Sequence, residues 1–255
     1  MQLVILAGGY GTRISEESIL IPKPLISIGD KPIIWHIMKY YSTFGISEFI
    51  ICLGYKGHKL KEYFFNYSKY TSDFMVKTKN SDYKILTNNN EDWEVTLIDT
   101  GDHTMTGGRI ARVKNYIRGD SFFCTYGDGL SNIDINDLSN AHKNNKTIAT
   151  ISAVRPPGRF GSLKINNNRV SSFEEKIEGT NSWINGGFFV FDKDIFNYLD
   201  GDECVLEREP MEKLAKDNQI SSFKHDGFWQ PMDTLRDKNL LEKMWNNEQA
   251  PWKIW

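Results

Sequence analysis

LVILAGGYGTR, Leu3–Arg13, sets four aliphatic residues directly before an alanine and the glycines at 8, 9 and 11. A short apolar run bounded by glycine reads as a strand buried on both faces. Outward from it the pattern repeats. IIWHIMKYYSTFG carries apolar residues at helical spacing, FIICLG is strand-like, and HKLKEYFFNY is again helical. WEVTLID, a helical stretch from about Gly107 to Tyr116, the strand SFFCTYG, a further helix and TIATISAV continue the series. Such alternation predicts a doubly wound, mostly parallel α/β sheet. After about Val154 the texture changes. GSLKINNNRVSSFEEK and NGGFFVFD predict hairpins laid onto that sheet, with helices returning in EPMEKLAKD and TLRDKNLLEKMWNN. No low-complexity linker intervenes, so the expectation is one domain over 1–255, with a core to about 154 and a closing part from about 155.

With 255 residues, 40% of them apolar, the chain can bury a sizeable core. Its formal net charge of -2 argues against non-specific nucleic-acid binding as the main activity, because that needs a strong basic excess. An anionic ligand must therefore be met by a few placed cations. The start of the chain lacks a basic leader, and no apolar run approaches the roughly 18 residues of a membrane helix. Cys52, Cys124 and Cys204 are odd in number and widely spaced, which favours reduced thiols. These features predict a cytoplasmic protein without membrane contact.

The glycine loop suits an anion. Without side chains in the way, its N–H groups can approach phosphate oxygens, and Arg13 adds a planar cation. Two familiar phosphate loops do not fit. A Walker A loop ends in Gly-Lys-Ser/Thr, absent after Gly11. The dinucleotide fingerprint needs a third glycine where Ile14 stands, and an acid closing the second strand near Gly54. For the glycines alone, a tight turn with no ligand remains open. Lys23 lies in Pro22-Lys23-Pro24, held on a stiff, extended segment, and so becomes a second candidate for a phosphate.

LAGGYGTR, PKPLISIGDKPIIWHIMKYY, FIICLGYKG, KEYF, VTLIDTG, MTGGRIARV, TYGDG, PPGRFGSL, INGGFFVFD, FWQPMDTLRDK and APWK run in order over nearly the whole chain. Together they resemble the sugar-phosphate nucleotidylyltransferases. TGDHTMTGGR and FWQPMDTLRDK resemble the cytidylyl branch rather than the uridylyl and thymidylyl branches. The resemblance implies a Rossmann-like nucleotidyltransferase fold with a β-hairpin-rich, sugar-binding insert, the nucleotide held by the core. It implies transfer of CMP from CTP to glucose 1-phosphate with Mg2+, and a homo-oligomer, hexameric in the family. The product would feed CDP-linked deoxysugars for surface polysaccharides such as O-antigen. The same chemistry with another base or sugar phosphate, and a sugar-nucleotide-binding regulator without catalysis, are the alternatives.

By position, the resemblance gives Leu6, Ala7, Gly8, Gly9, Tyr10, Gly11, Thr12 and Arg13 to the nucleotide and its phosphates. Lys23 would hold the α-phosphate and the incoming phosphate. Thr106, Gly108, Arg109 and Gly127 would border the nucleotide, with Gly107 and Gly108 opening a helix whose amino end favours an anion. Glu175, Lys176 and Asn185 would take the sugar phosphate. Asp128 and Asp233 would form the metal pair, with Arg13, Lys23 and Asp128 as the catalytic set. Each has a plainer reading: Gly127-Asp128-Gly129 as a turn, Asp233 as a helix N-cap, and Glu174 and its charged neighbours as a solvated strand edge. Ser27 and Asp30 stand where the family pattern has glutamate and glycine. His36, in a helix rich in Ile, Trp and Tyr, reads as a packed core residue, and His58, His103, His142 and His225 show no metal spacing.

Overall fold

In the computed structural model, residues 1–10, 21–155, 162–166, 169–174 and 183–255 are described. Seven strands form the central sheet: β1 (Leu3–Leu6), β2 (Glu48–Leu53), β3 (Glu94–Asp99), β4 (Ser121–Tyr126), β5 (Ala149–Val154), β6 (Ile184–Asp192) and β7 (Ile220–His225). Their order is β7-β5-β6-β4-β1-β2-β3. β1 pairs in parallel with β2 and β4, β2 with β3, and β5 with β7. β6 is antiparallel to both β4 and β5, the one reversed strand of the sheet. The predicted doubly wound, mostly parallel architecture is therefore observed.

Alternation along β1 shows why the stretch is continuously apolar. Leu3 and Ile5 enter one core and Val4 and Leu6 the other, so every residue of the strand meets helices on one face or the other. The first face is covered by helices α1 (Ile33–Ser42) and α2 (Gly57–Phe65), the second by α3 (Thr106–Arg112). Helix α4 (Ile135–Asn145) precedes β5, α5 (Glu209–Lys216) precedes β7, and α6 (Leu235–Asn246) closes the fold near the carboxyl end. Beyond Val154 the chain does more than add hairpins. The expected hairpin is present as Ser162–Asn166 against Arg169–Glu174, but NGGFFVFD becomes β6, inserted between β4 and β5. Six of its residues, Gly186–Phe191, are buried, which its position between two strands demands. A second hairpin, Phe74–Lys77 with Asp82–Ile85, is exposed at every residue and carries no strand signal that stood out in the sequence.

Helix α1 is buried on nearly every side because the end of the chain returns over it. Trp245 of α6 and Trp252 and Trp255 beyond it surround His36, whose ring meets Trp245 edge-on at 4.6 Å. The His36 Nε2 lies 2.9 Å from the Ile28 carbonyl oxygen, so the packed-core reading holds. Burial pushes the His36 pKa down from 6.5 to about 4, with the Ile28 bond and the Asp30 charge only partly opposing it. Between those values the unfolded chain binds the proton and the native chain does not. The stability is thus fully present above pH 6.5 and is lost as pH falls toward 4. Near pH 5 the loss amounts to about 2 kcal/mol. Urea unfolding near pH 7.5 and near pH 5 is expected to show this difference in the wild type and to show it reduced in His36→Gln. An equal pH slope in both would place the titration elsewhere.

Candidate active site

Because β1, β2, β3 and β4 run the same way, their carboxyl ends meet at one edge, where open α/β sheets hold ligands. Leu6 lies beside Cys52 on one side and Tyr126 on the other, so the segments that follow β1 and β4 leave the sheet together. With the loop Asp102–Met105 they enclose a cleft of about 550 Å3. Its lining includes Leu6 to Tyr10, Lys23, Thr106, Arg109, Gly127, Asp128 and Asp233, all singled out in the sequence.

Three of these converge on one point. Lys23 Nζ donates to Asp128 Oδ2 at 2.5 Å and to Asp233 Oδ1 at 2.8 Å. Pro22 has φ −66° and ψ 145°, the extended geometry its ring favours, and it delivers Lys23 into a single 3-10 turn, Lys23–Leu25. Asp128 follows β4 directly. Gly129–Ser131 then pairs antiparallel with Trp229–Pro231, and Met232 N donates to the Asp128 carbonyl at 2.8 Å. That short ladder brings two acids 105 positions apart in sequence to one cation. The N-cap reading of Asp233 fails, because Thr234 caps α6 and forms a capping box with Asp237. The Asp237 carboxylate also accepts from Asp233 N at 3.2 Å, holding the backbone that aims Asp233 at the cleft. Burial acts to lower the Lys23 pKa, but Asp128 and then Asp233 outweigh it and keep the ammonium above its ordinary value.

Arg109 lines the cleft in a different way. It is 5% exposed, and its guanidinium donates to the carbonyls of Leu53, Gly101, Gly8 and Asp102 and to Thr100 Oγ1, at 2.8 to 3.3 Å. Burial lowers its pKa, with Cys52 and Asp102 opposing. A planar fork thus ties the ends of β1, β2 and β3 together. Two glycines make room for it. A Cβ at Gly8 would lie 2.1 Å from Arg109 Nη1, and one at Gly54 2.4 Å from the same atom. Gly9 differs, since among the described residues no atom comes within 4 Å of a Cβ placed there. In this loop, Gly8 is explained by the arginine, whereas Gly9 meets no described neighbour that would exclude a side chain.

The start of α3 corrects one expectation. Gly107 N and Gly108 N donate to the Cys204 carbonyl at 2.9 and 3.2 Å, so that amino end is closed by the chain itself and not offered to an anion. Gly108 is buried against Gly201 and Asp202 and does not line the cleft. Thr106 does, and its hydroxyl donates to Glu207 Oε2 at 2.6 Å. Asn185 stands beside the cleft, donating from Nδ2 to the Tyr126 hydroxyl at 3.3 Å. Ser27 and Asp30 belong to a small two-stranded turn and do not line the cleft. Gly11, Thr12, Arg13, Glu175 and Lys176 lie outside the described residues.

Several features of the cleft escaped the sequence. The Tyr10 hydroxyl and His103 Nδ1 are hydrogen-bonded at 2.9 Å, with Tyr10 also 5.2 Å from Tyr55 by ring centroids. Tyr126 and Glu203 also face the cleft. No spacing could reveal the Tyr10 and His103 pair, which is made by loops 93 positions apart. Only the signal of Tyr126 was readable, as the last strand residue before Gly127-Asp128.

Known proteins resemble this chain over its whole length. The family model described as "Nucleotidyl transferase" matches residues 2–234. The glucose-1-phosphate cytidylyltransferase of Salmonella typhimurium is 50% identical over 256 residues, covering all of both chains. The probable glucose-1-phosphate cytidylyltransferase of Bacillus subtilis is 43% identical over 258 residues, again covering both completely. Among solved structures, HddC from Yersinia pseudotuberculosis superposes with a TM-score of 0.70 at 24% identity, over 96% of this chain and 99% of that one, a likeness of fold.

Proposed function

The chain belongs to the nucleotidyl transferase family, and from that premise we propose that it transfers CMP from CTP to glucose 1-phosphate, giving CDP-glucose and pyrophosphate. The observation that carries the reading is the convergence of Lys23, Asp128 and Asp233 at the carboxyl edge of the sheet. In the reaction, a phosphate oxygen of glucose 1-phosphate bonds to the α-phosphorus of CTP, and the bond from that phosphorus to the bridging oxygen of the β-phosphate breaks. Two polyanions have to approach each other, so charge neutralisation and alignment are the protein's main tasks.

Asp128 and Asp233 suit Mg2+. Their oxygens already meet on a single cation, and two hard carboxylate donors leave the remaining positions of an octahedral ion to phosphate and water. Mg2+ bound there would neutralise charge on the triphosphate. Lys23 sits against the same point and, as a compact cation, would hold the α-phosphate and the incoming phosphate as they come together. Backbone from Leu6 to Tyr10, with Gly11, Thr12 and Arg13 following, would receive the nucleotide and its outer phosphates. Thr106, Arg109 and Gly127 would border it. Glu175, Lys176 and Asn185 would take the sugar phosphate, so that about 1–154 serves the nucleotide and about 155–255 the sugar. The intact cationic and acidic set argues against a regulator that has lost catalysis.

The reading extends to the cell. Cys52, Cys124 and Cys204 are free thiols, consistent with the cytoplasm, and among the described residues no helix is long and apolar enough to cross a membrane. The hairpin Phe74–Lys77 and Asp82–Ile85, with Phe74, Met75, Val76, Tyr83 and Ile85 all exposed, supports a homo-oligomer, hexameric by the family resemblance. The product would serve CDP-deoxysugar and surface polysaccharide synthesis. The direct test is pyrophosphate release with Mg2+, pairing CTP, UTP, dTTP, ATP and GTP each with glucose 1-phosphate. Release with CTP at least tenfold above the others is expected. Faster release with another nucleotide would overturn the cytidylyl assignment, and silence with all five would overturn glucose 1-phosphate as acceptor.

A further inference from the structure

Glu207 drew no attention in the sequence, yet its carboxylate joins two walls of the cleft. Oε2 accepts from Thr106 Oγ1 at 2.6 Å, and Oε1 accepts from the Tyr126 hydroxyl. Thr106 opens α3 on the nucleotide side, and its own oxygen accepts from Leu206 N at 2.9 Å. Tyr126 ends β4, two residues before Asp128, and receives Asn185 Nδ2 on the side assigned above to the sugar. A Cβ at Gly187 would lie 2.5 Å from the Tyr126 ring, so close packing fixes the ring while Glu207 fixes its hydroxyl. Thr106, Glu207, Tyr126 and Asn185 form one hydrogen-bonded path across the cleft.

A negative charge beside a cleft built for polyanions works against binding unless it has a separate task. Stability is not an adequate task here. Glu207 is exposed, and the two partners identified for its carboxylate are neutral hydroxyls, an arrangement that contributes little to folding where water competes. Its oxygens instead set the distance between the start of α3 and the Tyr126 ring.

Resting on the proposed reaction, we infer that Glu207 is a positioning residue that holds the nucleotide half of the cleft in register with the sugar half. It acts through Thr106 and Tyr126 and need not touch either substrate. In-line transfer depends on such register, since a misplacement of about 1 Å can cost about a hundredfold in rate. A ligand spanning both halves should therefore feel the loss of Glu207, whereas a ligand confined to one half should not.

CDP-glucose spans both halves and CMP occupies one, so calorimetric titration of each separates the cases without relying on turnover. In Glu207→Gln, CDP-glucose affinity is expected to fall at least tenfold and CMP affinity less than threefold, with the melting midpoint within about 2 °C of wild type. Tyr126→Phe should reproduce that pattern, and the double variant should lose no more than the larger single loss, because both substitutions remove one link. Equal weakening of both ligands, no weakening of either, or losses that multiply would overturn the positioning role. A wild-type protein that binds CMP but not CDP-glucose would overturn the substrate reading, and this inference with it. The Glu207→Gln fold and its CDP-glucose affinity are measured on the same full chain, so a folding defect is seen directly.

Discussion

Replacing Lys23 with methionine is expected to lower turnover a hundredfold or more, about 3 kcal/mol of transition-state stabilisation, while strengthening the binding of Mn2+ to the nucleotide-free protein. The two effects have one cause. The Lys23 ammonium stands between Asp128 and Asp233 at 2.5 and 2.8 Å, at the point where their charges add. Without nucleotide it competes with a divalent ion for that point. In the proposed reaction, bound nucleotide would offer the ammonium another set of oxygens, and the carboxylates would become available. Methionine keeps the length of the side chain and removes the charge, so the carboxylates lose their shared cation and a divalent ion should take its place. The electron paramagnetic resonance signal of free Mn2+ measures this without turnover, and circular dichroism checks the fold, since breaking a buried ion pair destabilises by about 3 to 5 kcal/mol. Near-wild-type turnover would remove Lys23 from the reaction. Unchanged Mn2+ affinity would mean that the carboxylates do not share one point in solution, and adding Asp128→Asn should cancel any gain.

The sequence made this site legible where chemistry depends on local order. The strand ending in Gly8-Gly9, the lysine between two prolines and the acid after SFFCTY each carry a local signature, and all three reach the cleft. What local order cannot show is which side chains neutralise one another across long separations. The same stretch of glycines was read as one phosphate loop, yet Gly8 answers to Arg109, 101 positions away. The amino end of α3 looked open to an anion because the strand of chain that closes it, around Cys204, lies almost a hundred residues later. For the fold, periodicity found the helices and most strands, but it could not tell an added hairpin from a sheet strand. β6 carries a continuous apolar run, Phe188–Phe191, and its place between β4 and β5 is fixed by pairing alone.

Arg109→Lys is expected to destabilise the fold by about 3 kcal/mol and to raise the CTP dissociation constant about tenfold, although the charge is kept. The arginine makes five hydrogen bonds from one planar group to oxygens at the ends of β1, β2 and β3. A lysine has three donors on a tetrahedral head and cannot match that fan, so at least two of these oxygens lose the donor that Arg109 gives them. One of the oxygens is the Gly8 carbonyl, which among the described residues would keep only its 3.2 Å bond from Tyr55 N, and the weaker hold loosens the loop that would meet the nucleotide. Gly8→Ala tests the same link from the other side. Its methyl group would stand 2.1 Å from Nη1 and has to displace the guanidinium, so it should copy the arginine variant in urea midpoint and in CTP affinity. The double variant should then lose less than the sum of the two. Gly9→Ala provides the contrast: with no described atom within 4 Å of the new methyl group, folding stability should stay within about 0.5 kcal/mol while CTP binding weakens. If Gly8→Ala and Gly9→Ala behaved alike, the loop would be a single phosphate cradle after all, and the arginine clamp would have no separate part in shaping it.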